Sequence, residues 1–306
     1  MQVVRAELKK LGDLTEKALF GEAGVSLVRL FRGAVGIALL LTLLSWAGSF
    51  YWFFSPEGYV PVGTEELLGK YFDSWLNIFS YPGLESYPAV LLAYILAIIS
   101  ACLLIVNKFP KVAAPIAYVL LLSFLGRNPA LSYGGTDVLQ FLLLGVVLLS
   151  LPGRKVAERW PIFLLQFQFA LLYFTAGSSK LGVAEWLNGT KMFTTLSDPT
   201  FSYIDPQLLL LAPLLISFIT WYGFISELAF AFLIWSKATR RYALAAVVLL
   251  HVGIIASMNV HLFSEMMLLG LTCLLTNQEA DWLLERFHAA KTRVVSAVRG
   301  PKRQVN

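Results

Sequence analysis

The sequence predicts an all-α, polytopic transmembrane helix bundle of about eight spans, with both termini in the cytoplasm. Three observations predict it. The chain of 306 residues is 58% hydrophobic and only 14% charged, with a mean hydropathy of +0.70, far from the balance of a soluble domain. Its apolar residues gather in runs suited to a hydrocarbon core of roughly 30 Å, which takes about 20 helical residues. Its 24 Lys and Arg also alternate by loop: with the N-terminus inside, 20 fall on inner segments and 4 (Lys70, Arg127, Lys180 and Lys191) on outer ones. That asymmetry is what the positive-inside rule describes.

The elements follow in order. Residues 1–26 read as a cytoplasmic amphipathic segment at the membrane surface, without the apolar core and cleavage site of a signal peptide. Residues 27–280 form the transmembrane domain, and 281–306 a basic cytoplasmic tail. The spans are predicted at about 27–54, 87–107, 111–126, 136–152, 160–182, 208–235, 241–260 and 263–277. The third is short and holds Pro115; the sixth is long enough to tilt, or to break near Pro213. A short interfacial helix is predicted from Asp73, and residues 183–207 read as a long outer loop. These features predict a multi-pass integral membrane protein.

Composition also excludes function classes. The positive balance reads as loop charge, so no nucleic-acid partner is expected. Cys102 and Cys273 lie in apolar spans and read as small buried hydrophobes. Three histidines give no credible metal site. There is no Walker loop, GxSxG, HExxH or CxxC. Asn188-Gly189-Thr190 is a glycosylation sequon, relevant only in a eukaryotic secretory setting.

The fifth span carries the chemistry. Gln166, Tyr173, Gly177 and Lys180 recur at helical spacing and share one face. Such a stripe turns inward, because polar groups facing lipid are costly. Lys180 has two readings. It is an anchor that snorkels from a helix end, or a functional amine at a cavity mouth, where desolvation lets a lysine act as a base. Two further groups lie at depth. At about 1.5 Å per residue, Glu227 is roughly 12 Å above the inner end of its span and His251 roughly 15 Å. They are predicted to bond, directly or through one water, as a packing pair or a proton relay; Arg32 could join them. Lys180, Trp186, Asp137, Tyr133, Asn259, His261 and Glu265 are predicted at the outer mouth.

The stretch LLYFTAGSSKLGVAEWLNG resembles the signature of the HTTM family, the membrane domain of vitamin K-dependent gamma-carboxylases. The matching residues are Phe174, Ala176-Gly177, Lys180-Leu181, Trp186 and Gly189. The carboxylases have two adjacent lysines here; this chain has Ser179 and then Lys180, the position proposed as catalytic base. SYGGTDVLQFLLLGVVLLSLPG and HVGIIASMNVHLFSEMML resemble two further family strings, with Thr136 inserted before Asp137 in the first. With RLFRGAVG and WYGFISELAF the likeness covers roughly 29–287.

The resemblance implies quinol-dependent proton abstraction and carboxylation-type chemistry with Lys180 as base; Glu227 and His251 join it as catalytic candidates from their depth in the membrane. It implies a vitamin K-like or menaquinol cofactor near Tyr173, Gly177, Trp186, Asn259, His261 and Asp137. The vertebrate carboxylases continue into a large luminal domain that engages their substrate, whereas this chain runs about 30 residues past its last span. Alternative readings are therefore an accessory or maturation factor for a secreted peptide, or a structural subunit of a membrane complex.

Overall fold

A computed structural model describes residue 16 and residues 23–60, 77–151 and 159–299. In chain order the helices are α1 (Val25–Ala47), α2 (Phe50–Phe54), α3 (Tyr87–Ile105), α4 (Pro110–Arg127), α5 (Gly134–Leu148), α6 (Trp160–Lys180) and α7 (Ala184–Leu187). They continue as α8 (Lys191–Leu196), α9 (Pro206–Leu210), α10 (Pro213–Leu233), α11 (Arg240–Ser257), α12 (Phe263–Gly270, extended by a 3-10 turn over Leu271–Leu274) and α13 (Asn277–Arg299). Among the described residues there is no strand, only an isolated bridge between Ser202 and Met258. Among the described residues six helices (α1, α3, α4, α6, α10 and α11) are long and apolar enough to cross a membrane, and α5 and α12 are apolar but shorter. Each predicted span therefore has an apolar helix in its place.

Several boundaries differ from expectation. The first predicted span is two helices, interrupted at Gly48 and Ser49. The sixth is also two, because Leu211 and Ala212 separate α9 from α10. Pro213 opens α10, where a missing N–H leaves no bond unmade. Pro115 sits early in α4 without ending it. The outer loop folds α7 and α8, and the tail begins inside a helix, α13. Most of the predicted N-terminal segment, the residues around Lys70, the start of the interfacial helix at Asp73 and the last residues of the tail lie outside the described residues. Residues Ile78–Ser80 form a 3-10 turn, capped where Asn77 accepts from the Phe79 N–H at 3.0 Å.

α1 is the centre of the bundle, packing on α3, α5, α12 and α13. α4 lies against α3 and α5, while α6 packs on α10 and α10 on α11. α12 joins the two groups by touching α5, α11 and α1. Phe31, Leu39, Phe124, Phe169, Val247 and Met266 are fully buried where these helices meet. Two polar devices tie the ends. Asn277 accepts hydrogen bonds from the N–H groups of Ser26 (3.1 Å) and Leu27 (3.2 Å), so it caps α1 from the far end of the chain. Arg127 reads from the sequence as an outer-loop cation, yet it is 1% exposed and donates to the carbonyls of Val60 (2.8 Å) and Ser55 (3.2 Å). It is a structural strut, since a buried guanidinium must spend its donors on acceptors.

The basic end of the bundle is expected to face the cytoplasm. In a cysteine-free background, a cysteine at Ser197 should react with an impermeant maleimide on intact cells, and one at Ala238 only after lysis. The reverse pattern would overturn the orientation.

Candidate functional site

The site begins with a glycine. A Cβ at Gly177 of α6 would lie 2.8 Å from the backbone nitrogen of Leu228 and 3.0 Å from its Cα on α10. Only a residue without a side chain lets the two backbones come so close. The contact sets the register of everything near it. One turn after Gly177 is Lys180, and one residue before Leu228 is Glu227. The Lys180 ammonium donates to Glu227 Oε2, and the two side chains keep 17% and 16% exposure. The Trp186 ring lies 4.9 Å from the Lys180 nitrogen, in position for a cation–π contact.

This corrects the sequence-based depths. Lys180 and Glu227 were expected at two separate levels. Lys180 does end its helix, but Glu227 lies about 14 residues past Pro213, roughly 21 Å along α10. The outer half of α10 extends past the end of α6 and is covered by the chain that follows it. Trp221 donates to the Leu187 carbonyl at 3.1 Å, and the Met192 N–H to Thr220 at 3.1 Å. Lys180 therefore sits beneath α7 and α8, below the level at which α10 begins.

The second correction concerns pairing. The predicted Glu227–His251 bond is replaced, since Glu227 is taken by Lys180. His251 Nε2 lies 2.7 Å from the Tyr173 hydroxyl and Nδ1 lies 3.1 Å from Ser264 Oγ. His251 and Tyr173 are each 2% exposed and Ser264 is 1% exposed. A neutral imidazole has one donor and one acceptor nitrogen. Either Tyr173 donates to Nε2 while Nδ1 donates to Ser264, or both bonds reverse. Tyr173 stands two turns before Lys180 on the same face of α6, so the two groups are neighbours. The polar array is thus two neighbouring groups, Trp186–Lys180–Glu227 and Tyr173–His251–Ser264, across α7, α6, α10, α11 and α12. Arg32 is not part of it; its Nη1 donates to Asn107 at 3.3 Å.

The other predicted residues form separate features. Asp137 is exposed and accepts from Gln140 at 3.4 Å. Asn259 accepts from the Tyr203 hydroxyl at 3.0 Å and its N–H donates to the Phe201 carbonyl at 2.9 Å, pinning the outer loop. The His261 ring lies 5.9 Å from that of Tyr133. Burial, and then the nearby Glu265 carboxylate, push the Tyr133 phenol up to about 12. No hydrogen bond among the described residues joins Asp137, Asn259 or His261 to Lys180.

One member of the array, Ser264, and one ring packed against it, Phe230, were not singled out from the sequence. Ser264 reaches His251 because the turn between α11 and α12, with Leu262 in the left-handed region at φ 46, folds α12 back. Phe230 packs on Tyr173 with ring centroids 4.4 Å apart. The serine had a signal, since it lies in the string that follows the histidine; the phenylalanine is one apolar residue among many on its helix.

Comparison with known proteins gives a match to the family model of the HTTM domain over residues 146–282, the stretch that holds every member of the array. No curated protein and no solved structure matches the chain.

Proposed function

We propose, from this chain's membership of the HTTM family, that its polar array is a proton-handling site for a lipophilic quinol-like substrate. The chain is a multi-pass membrane protein with six apolar helices of spanning length, and we place it in a prokaryotic cytoplasmic membrane. The observation that carries the proposal is the Lys180–Glu227 pair, still about one-sixth exposed and backed by a buried hydrogen-bonded chain. The residues fit a quinol: an aromatic face at Trp186, an amine and a carboxylate at its edge, and exposed apolar Phe174 and Ile225 on the same two helices. When bound, a quinol would supply an acidic hydroxyl and a source of electrons.

The protein side of the chemistry follows from the pair. In a low dielectric, an ion pair competes with its neutral form, because charge separation loses its solvation. A proton passing from Lys180 Nζ to Glu227 leaves a neutral amine and a neutral carboxyl. That amine can then accept a proton from a hydroxyl placed over Trp186. Tyr173, His251 and Ser264, hydrogen-bonded to one another beside the pair, offer the next proton carriers.

The pair also favours a second reading. An amine held by a carboxylate locks α6 to α10, as an accessory factor for a secreted peptide or a structural subunit would need.

Menaquinone titrated into the purified protein should quench tryptophan fluorescence saturably, at one equivalent. Trp186→Leu and Lys180→Met should weaken the binding about tenfold or more, the loss of an aromatic stacking face and of a charged contact. Linear, unsaturable quenching, or quenching indifferent to both changes, would remove the quinol from the proposal.

A further inference from the structure

At the end of the bundle opposite α7 and α8 lies a cavity of about 520 Å³. Its size is that of a small-ligand site. The walls come from the ends of α1, α6, α10 and α11 and from the turn into α13. Its apolar lining includes Ile162, Leu274 and the half-exposed Trp235, and its charged lining is Arg159, Lys237 and Arg240.

The charges are unequal in their partners. Arg240 is committed: it donates to both oxygens of Glu279 at 2.8 Å and to the Leu274 carbonyl at 2.5 Å. Among the described residues, neither Arg159 nor Lys237 meets a carboxylate. The positive end of α1 is also committed, to Asn277. Two cations that meet no carboxylate among the described residues thus share with a third, already committed, a cavity that also has apolar lining. Bringing like charges together costs free energy that an anion between them would recover.

We propose that this cavity binds the phosphate headgroup of an anionic membrane phospholipid, with Arg159 and Lys237 on the phosphate and the acyl chains leaving along Trp235 and Ile162. The apolar lining favours a lipid over a soluble phosphate. So does the indole, a side chain that settles at headgroup depth. Basic residues at the cytoplasmic surface meet the anionic leaflet there. The site stands apart from the Lys180 array, so it does not depend on the proposed chemistry.

The test uses the full chain in nanodiscs. Phosphatidylglycerol titrated into phosphatidylcholine discs should raise the melting temperature saturably. Arg159→Gln combined with Lys237→Gln should weaken that response by roughly tenfold or more, with the melting temperature in pure phosphatidylcholine unchanged, since both residues are exposed. Lys237→Arg should respond like the wild type. An equal response in the double variant would overturn the site. Equal protection by inorganic phosphate at matched concentration would overturn the lipid as its occupant.

Discussion

Lys180→Met should destabilise the protein by about 3 kcal/mol, the low end of what breaking a buried ion pair costs. The substitution keeps the apolar stem and removes the charge. Glu227 is then left with no cation, between two helices held at backbone contact by Gly177. Exposure of 16% leaves the carboxylate too little water to restore its solvation. Replacing both partners, with Lys180→Met and Glu227→Leu together, should recover more than half of the loss, because no charge remains to be solvated. Unfolding in mixed micelles measures all three; a loss below about 1 kcal/mol for Lys180→Met would mean that the pair behaves as a surface ion pair.

Lys180→Arg separates the two readings of the site. Arginine can still bond Glu227 but does not release its proton in a protein. If Lys180 is a base, the Arg variant should keep its stability and its quinone binding while losing quinone-dependent turnover. If Lys180 is a lock, the Arg variant should be indistinguishable from the wild type. On the sequence reading alone, Lys180→Met is expected to leave folding intact under the base hypothesis. The ion pair removes that expectation, so stability loss in the Met variant says nothing against catalysis.

Gly177→Leu should cost about 3 kcal/mol or more, at or beyond the upper end of overpacking. The atoms in the way are backbone nitrogen and Cα of Leu228, at 2.8 and 3.0 Å from a Cβ, and they cannot rotate aside. The helices must part, and parting them also pulls Lys180 from Glu227. Gly182→Ala is the control, because the nearest atom to its Cβ, the Ser179 carbonyl oxygen, is 3.9 Å away. A Gly177→Leu protein that melts with the Gly182→Ala protein would show that α6 and α10 are not in backbone contact.

The sequence by itself determined the class of this protein, the places of its apolar helices and the family string around Lys180. Those properties are local: hydropathy over a window, the sign of loop charge, and a string of residues around one lysine. Helical spacing also placed Tyr173, Gly177 and Lys180 on one inward face, since that needs only the pitch of a single helix. What each of those residues meets was decided by the tertiary structure. Counting from span ends assumes that neighbouring helices start and stop at common levels. Here α6 ends while α10 continues beside α7 and α8, so Lys180 meets Glu227 instead of standing alone at a mouth. His251 turned to Tyr173 and Ser264, and Arg127 to loop carbonyls, for the same reason. Partners across helices depend on axial register and rotation, and both are set by how closely backbones can approach, as at Gly177.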